Sequence, residues 1–498
     1  MTLSHSTVEA IIRATSRSLF PAGARGLLAA SAFCAAFAHA QTVDPDFAPN
    51  PDNDVSTVAT QADGRITVGG FFHSIDGQVR DGFAALGSDG HLATDFADLQ
   101  LRDDVWSISS TDRGAIVIGG DILDITHVTR RGVAELTANG SLDSNLADPA
   151  VIGRVLATIV QPDSHVLVAG HFTSVGGEDR ANLARLDLHG ALDANFDPQV
   201  DDWVETMALQ PDGRIVIGGY FQNVGGTPQK YLARLKADGS LDASFAPPPL
   251  NNRVQALAVQ PDGKILVGGD FTFVGDAAFG HLVRLDADGG VDATFTDPAL
   301  QSAPSSVILQ ADGRILVGGG FYSAANTPRH GLARLNADGS LDASFADLGA
   351  DAAIDALSLQ ADGNLVVAGR FSAIGGQAIA KLARVRLAEG AQQSLQIEAA
   401  GSRVRWMRGG SAPELGAAPE LYRSDDGGTT WSSLGRMDRI AGGWQLGGIP
   451  VLIDQGYLVR AEAPVPCGNG GNSQGRAVAQ ASAYFADAIF ADGFDAAH

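Results

Sequence analysis

Residues 251–300 read NNRVQALAVQPDGKILVGGDFTFVGDAAFGHLVRLDADGGVDATFTDPAL, and this stretch decides the fold. Val254 to Gln260 alternates and reads as a strand. Pro261-Asp262-Gly263 is a turn: proline presets φ, aspartate bonds locally and glycine takes the positive-φ position. Lys264 to Phe271 is the next strand, and so short a connection makes the pair antiparallel. After a variable loop, His281 to Asp286 is a third strand. Ala287-Asp288-Gly289 turns again into a fourth, Val291 to Phe295. Four antiparallel strands in about 50 residues are the signature of a propeller blade.

The unit recurs as QADGRITVGG, TDRGAIVIGG, QPDSHVLVAG, QPDGRIVIGG, QPDGKILVGG, QADGRILVGG and QADGNLVVAG. These end at Gly70, Gly120, Gly170, Gly219, Gly269, Gly319 and Gly369, a spacing of 49 or 50 residues that chance does not produce. Seven units fill residues 41–390. The small pair in each second strand suits backbones crowded near an axis. The first unit begins at its fourth strand, Val43 to Phe47, and the last ends at its third, Leu382 to Arg386. That offset does nothing for an open array. In a ring, the N-terminal strand completes the last blade. The fold class expected is therefore all-β: a seven-bladed β-propeller closed by its N-terminal strand.

Charge placement sharpens the register. Arg185, Arg234, Arg284 and Arg334 are each followed eight residues later by Asp193, Asp242, Asp292 and Asp342. The turn between them sets each Arg opposite its Asp, a pairing of about 0.2–1 kcal/mol. Unit one has Ala85 and Ala93 there; unit two has Glu135 and Asp143. Arg384 has no Asp after it and Asp44 no Arg before it, so a closed ring predicts that these two meet.

The units GSLDASF, VQALAVQPDGKILVGGDF and LARLDADG resemble the delta-60 repeat of exported bacterial proteins. The resemblance covers all seven units and implies a propeller-like domain without established chemistry. Arg113 and Ser164 depart from the turn pattern, and Thr126 to Arg131 replaces the usual loop.

Residues 1–40 read as a secretory signal: Arg13, Arg17 and Arg25, an apolar run from Gly26 to Ala38, and an A-x-A site at Ala38-His39-Ala40. Its cleavage takes the net charge from -23 to -25 and leaves Cys467, since Cys34 lies in the signal. No other apolar run reaches the length of a membrane span. A chain with -23 net charge and four lysines does not suit a nucleic-acid backbone. Residues 391–463 lose the period and read as a small immunoglobulin- or fibronectin-like β-sandwich. Ser424 to Trp431 matches the Asp-box pattern S-x-D-x-G-x-T-W, a hairpin motif rather than chemistry. Residues 464–498 read as a linker and a tail whose Ile489 to Asp495 resembles a C-terminal sorting tag. An edge strand of the sandwich is the alternative for that tail.

No residue earns a catalytic, cofactor-binding or metal role. His73, His127, His171, His281 and His330 fall near second-to-third-strand loops, at differing positions within the unit. Glu205 and Asp355 sit on first strands, which should line the axis, and Asp54 and Asp104 begin two others. Calcium is conceivable at Asn336-Ala337-Asp338-Gly339-Ser340-Leu341-Asp342 and its copies, but Lys236 stands at the first ligand position of one copy and no bidentate Glu follows. The expectation is an exported, monomeric, non-enzymatic scaffold that presents the seven variable loops, among them Phe72 to Asp81 and Tyr322 to His330, to a protein or carbohydrate. A polysaccharide hydrolase or lyase using the axial channel, and a purely structural surface protein, are the alternatives.

Overall fold

The structure, a computed structural model, describes residues 41–484 except 62, 102, 112–113, 399–402, 450–455 and 468–472. The expected signal at 1–40, the tag at 489–495 and Arg113 lie outside the described residues. Described regular structure is all strand.

Each unit is an antiparallel sheet in the order first, second, third strand, as in Val254–Val259, Ile265–Gly269 and Leu282–Leu285. The fourth strand is shorter than expected. It survives as one bridge, such as Leu235 to Leu241, plus the Asp242 N–H bond to Arg234 O at 2.8 Å. The reason is the aspartate itself. Its carboxylate accepts the Ser244 N–H at 3.1 Å, its carbonyl accepts that of Phe245 at 3.1 Å, and the chain turns there.

First strands of successive units pack side by side, and that of unit seven, Ile354–Leu359, packs on that of unit one, Val55–Thr60. Thr60 and Ser358 share a 2.9 Å hydrogen bond there. The paired glycines explain the closeness. A Cβ on Gly218 would stand 2.5 Å from Val254 of the next unit, and one on Gly219 2.1 Å from Trp203 O, just before its own first strand. Apolar clusters bridge consecutive sheets: Val216 and Leu232 of unit four pack with Leu257 and Val267 of unit five.

A clamp repeats at the outer turns. Arg234 Nε meets Asp242 Oδ2 at 2.8 Å, its guanidinium lies 4.8 Å over the Phe245 ring, and Nη1 donates to Ala287 O of the next unit. Arg185 and Arg284 do the same with Ala237 O and Ala337 O. The predicted pair is also formed. Thr42–Val43 pairs with Leu382–Arg386, and Arg384 Nη2 lies 2.6 Å from Asp44 Oδ2. Arg384 also lies 4.8 Å over Phe47 and donates to Ser88 O of unit one. Arg386 adds a second bond to Asp44, at 2.7 Å. Unit one, which lacks the arginine, has Arg65 Nη1 donating to Ala138 O instead, at 3.2 Å.

Two of the departures noted in the sequence leave their turns standing. Ser164 takes φ 70° at the glycine position, and the Gln161–His165 bonds form as in other units. Thr126 and His127 take φ 48° and 64°, and Asp124–Ile125 still pairs with Val128–Thr129.

Beyond the repeats, two sheets share one core. One holds Ala391–Ile397, Arg403–Gly410, Gly443–Gly447 and Asp438–Ile440; the other holds Glu420–Ser424, Ser432–Arg436, Gly456–Cys467 and Ser473–Tyr484. Val404, Trp406, Leu421, Tyr457 and Val459 are buried between them. The stretch read as a linker is therefore mostly strand. Pro464 pairs with Arg476 and Cys467 with Ser473 in one long hairpin. The alternating prolines send both missing donors to one edge, which a strand tolerates. This hairpin also reaches unit two: Gln474 pairs in parallel with Ser109, on the edge of the first strand away from its second strand.

Candidate functional site

Every first strand carries a bulge, one residue after its start in six units and at Leu156 within Ile152–Val160 in the third. The register slips between Val55 and Thr57, Val105 and Ser107, Val155 and Ala157, and Val204 and Thr206. It slips again between Val254 and Ala256, Pro304 and Ser306, and Ile354 and Ala356. A bulge leaves one residue outside the ladder and re-aims its side chain. The seven residues so released are Ser56, Trp106, Leu156, Glu205, Gln255, Ser305 and Asp355. All seven line a single open pocket of about 360 Å³, together with Arg253 and Arg370.

The pocket is polar and its charges are paired. Arg253 Nη1 contacts Glu205 at 2.7 Å and its Nε contacts Asp270 at 2.7 Å, while its guanidinium lies 4.7 Å from the Tyr220 ring centre. Arg370 Nε contacts Asp355 at 3.0 Å. Burial pushes the Glu205 carboxyl up to about 7, against the opposing pull of Arg253. Burial likewise raises Asp355, against Arg370. Two further carboxylates at strand edges of unit two, Asp104 and Asp121, are raised by burial, Asp104 also by the charge of Asp121. Aromatic rings stand at the same strand ends: Phe71 meets Trp106 edge-on at 4.9 Å, and His171 stacks on Trp203 at 4.4 Å. The Trp106 indole N–H has no hydrogen-bond partner among the described residues.

Of the residues singled out in the sequence, Glu205 and Asp355 come together in this pocket. Asp54 pairs with Lys381 Nζ at 2.8 Å, a contact between units one and seven. The histidines stay apart. His73 pairs with Asp81, His330 with Asp347, and His281 with Gly269 O. Among the described residues, no three His, Cys, Asp or Glu side chains group to hold a metal. In the calcium-like loops, Asp338 Oδ1 accepts both the N–H and the hydroxyl of Ser340, and Asp286 is held by Lys264. The variable loops form small hairpins such as Ser74–Ile75 with Gln78–Val79, and the pocket is lined by bulges rather than by them.

Sequence reasoning missed Ser56, Trp106, Leu156, Gln255 and Ser305. The signal was available in a column-by-column reading of the seven units. The residue just before the bulge is Val in five units, with Pro304 and Ile354 in the others. The bulge residue itself takes six identities in seven copies, Ser alone appearing twice.

Seven stretches, 61–96, 114–145, 161–196, 210–245, 260–295, 310–345 and 360–387, match the family model described as a domain of unknown function (DUF5122) beta-propeller. No curated protein matches the chain. Among solved structures, a chain of the mitotic checkpoint complex aligns at 14% identity and TM-score 0.44, covering 74% of this chain and 99% of that one. A gluconolactonase of Xanthomonas campestris, XC5397, aligns at 15% and 0.36, covering 69% and 98%. Sqt1 of Saccharomyces cerevisiae aligns at 10% and 0.38, covering 75% and 97%.

Proposed function

We propose, for a chain built of seven DUF5122 β-propeller repeats, a non-enzymatic binding role seated at the axial mouth rather than on the loops. The observation that carries this reading is the set of seven bulge residues: one pocket, seven lining positions, and almost no repetition among them. Stability does not ask for that variety, because the strands around the bulges repeat.

The ligand class that suits the lining is a saccharide. Trp106 offers an aromatic surface for C–H faces, and its N–H is a donor in want of a partner. The Arg253–Glu205 and Arg370–Asp355 pairs present fixed donors and acceptors to hydroxyl groups while their charges offset each other. The volume lies at the small end of ligand pockets and suits one or two sugar rings. Export by residues 1–40, a delta-60 identity for the repeats and an Asp-box at 424–431 belong to the same proposal. They would place the protein outside the cytoplasm, where polysaccharide is met. Supporting the Asp-box, Asp426 accepts the Thr430 N–H at 2.8 Å, and Trp431 Nε1 donates to Gly428 O at 3.0 Å.

The test is calorimetric titration of the full chain with a panel of oligosaccharides. Binding that Trp106→Ala removes supports the reading; binding that survives it, or none across the panel, overturns it. The hydrolase reading is favoured by one observation, Glu205. A carboxyl near 7 is a proton donor at neutral pH, and a second carboxylate, Asp355, lines the same pocket. Reducing ends released by the native chain and not by Glu205→Gln would establish it in place of simple binding.

A further inference from the structure

We propose that the axial mouth takes the end of a saccharide chain, and that the rest of the chain leaves over Gly320 of unit six. The inference rests on the saccharide reading above. It adds the form of the ligand and the direction in which it lies.

The pocket is blind. The residue after the bulge is 0% exposed in every unit, Thr57, Ser107, Thr206 and Ser306 among them, so the axis is closed one step below the bulges. The C-terminal hairpin stands against the same strands: Ser473–Tyr484 lies on the first strands of units one, two and three, and Gly456–Cys467 on those of units one and seven. A chain cannot be threaded through, and whatever enters by the mouth leaves by it.

The mouth is also walled. In six units the residue after the second strand's small pair carries a side chain that is held in place. Phe71 packs on Trp106 of the next unit, Asp121 reaches Arg154 of the next at 3.2 Å, His171 stacks on Trp203 of the next, and Tyr220 lies under Arg253 of the next. Asp270 and Arg370 are bonded within their own units, to Arg253 and Asp355. The seventh copy of the position is Gly320, and it is exposed. A Cβ there would stand 3.8 Å from Ala353 Cβ of unit seven and 4.0 Å from Ser302 Oγ, which are ordinary contacts, and its φ is not positive. Gly318 and Gly319 beside it differ, since a Cβ on either would meet a neighbour at 2.9 Å. Packing therefore asks for glycine at 318 and 319 and not at 320. Ala303, just before the first strand of unit six, and Ala353 add only methyl groups. Among the described residues the wall has one gap, and it lies over unit six.

One gap decides how a polymer sits. A chain held at an internal ring leaves the pocket in two directions and needs two gaps. A chain held by its end needs one. Asp270 of unit five and Arg370 of unit seven flank the gap, an acceptor and a donor for hydroxyl groups of the ring that passes between them.

The experiment is calorimetric titration of the full chain with linear chains of α-1,4-, α-1,6- and β-1,3-linked glucose, β-1,4-linked xylose and β-1,4-linked mannose. Each is used at two rings, six rings and about 30 rings. The expected result is one affinity per chain at six and at about 30 rings, because each chain has one end that fits. Binding about fivefold tighter per chain at the greater length is the mark of internal rings, whose number grows with length, and overturns the inference while leaving the saccharide reading intact. Absence of binding by every probe overturns both. Gly320→Tyr closes the gap, and it should weaken six-ring binding at least about tenfold more than two-ring binding. An equal effect at both lengths, in a variant that melts as the native chain does, overturns the inference. The length comparison itself needs no variant.

Discussion

The outer clamp and the axial mouth are built by the same seven units and follow opposite rules. At the clamp, five units set Arg, Asp and a Phe ring in one arrangement, the fifth of them with partners drawn from the N-terminal strand. At the mouth, the bulge is kept in all seven units while its residue changes in nearly every one. The difference teaches where the chain can vary without loss. The clamp bonds one unit to the next, and where unit one lacks its arginine, Arg65 makes the inter-unit bond instead. The bulge side chain is outside the ladder and leaves the sheet intact whatever its identity.

The comparison can be broken or sharpened by substitution. The largest effect is expected at the clamp. Arg234→Met leaves the buried Asp242 with Arg214 alone, at 3.1 Å, and should lower the unfolding free energy by about 3 kcal/mol in urea. It should leave axial binding unchanged. Acid should act on the same bonds. Hydrogen bonds from Ser244 and Arg234 outweigh burial and hold Asp242 at about 2, below its usual value. A depressed carboxylate stabilises above its unfolded pKa, so stability should fall as pH drops from about 4 toward 2, measured by melting temperature.

At the mouth the sign reverses. Glu205 is raised by burial to about 7, so its neutral form is the stable one. Native stability should decline as pH rises from about 4.5 through 7, by on the order of 2 kcal/mol, and Glu205→Gln should lose that dependence. A flat native profile over this range would show that the carboxylate is as well solvated folded as unfolded. The smallest effect is expected of Gln255→Ala, a bulge residue. Stability should move by less than about 0.5 kcal/mol in the same urea assay, with any change confined to ligand affinity. A loss comparable to that of Arg234→Met would erase the distinction between the two regions.

Much of the architecture was legible in the sequence. The 50-residue period and the Asp-Gly turns fix strand positions through local chemistry, and the two unpaired residues Arg384 and Asp44 located the contact between the ends. The fourth strand was overestimated, because alternation in Leu241 to Phe245 does not reveal that Asp242 folds back on the Ser244 and Phe245 amides. The C-terminal hairpin was missed. Its Pro, Gly, Asn and Ser content reads as a linker, and its strand character comes from partners, such as Val459 and Val465 buried in the core. Only two of the seven bulge residues were visible, Glu205 and Asp355, which drew notice as charges on inward strands. Trp106 and Gln255 did not, because a bulge is a property of pairing and shows in no single unit.

The contact between Arg384 and Asp44 has a kinetic consequence. Its twin, Arg234 to Asp242, joins residues 8 apart, whereas this one joins residues 340 apart. The same bond therefore closes a far longer loop, at an additional entropic cost of about 3 kcal/mol. Contacts within a unit can form early and independently, while this one waits until all seven are in place. Refolding should show a slow phase that Arg384→Met hardly alters, while unfolding becomes faster in that variant, the mark of an interaction made after the barrier is crossed.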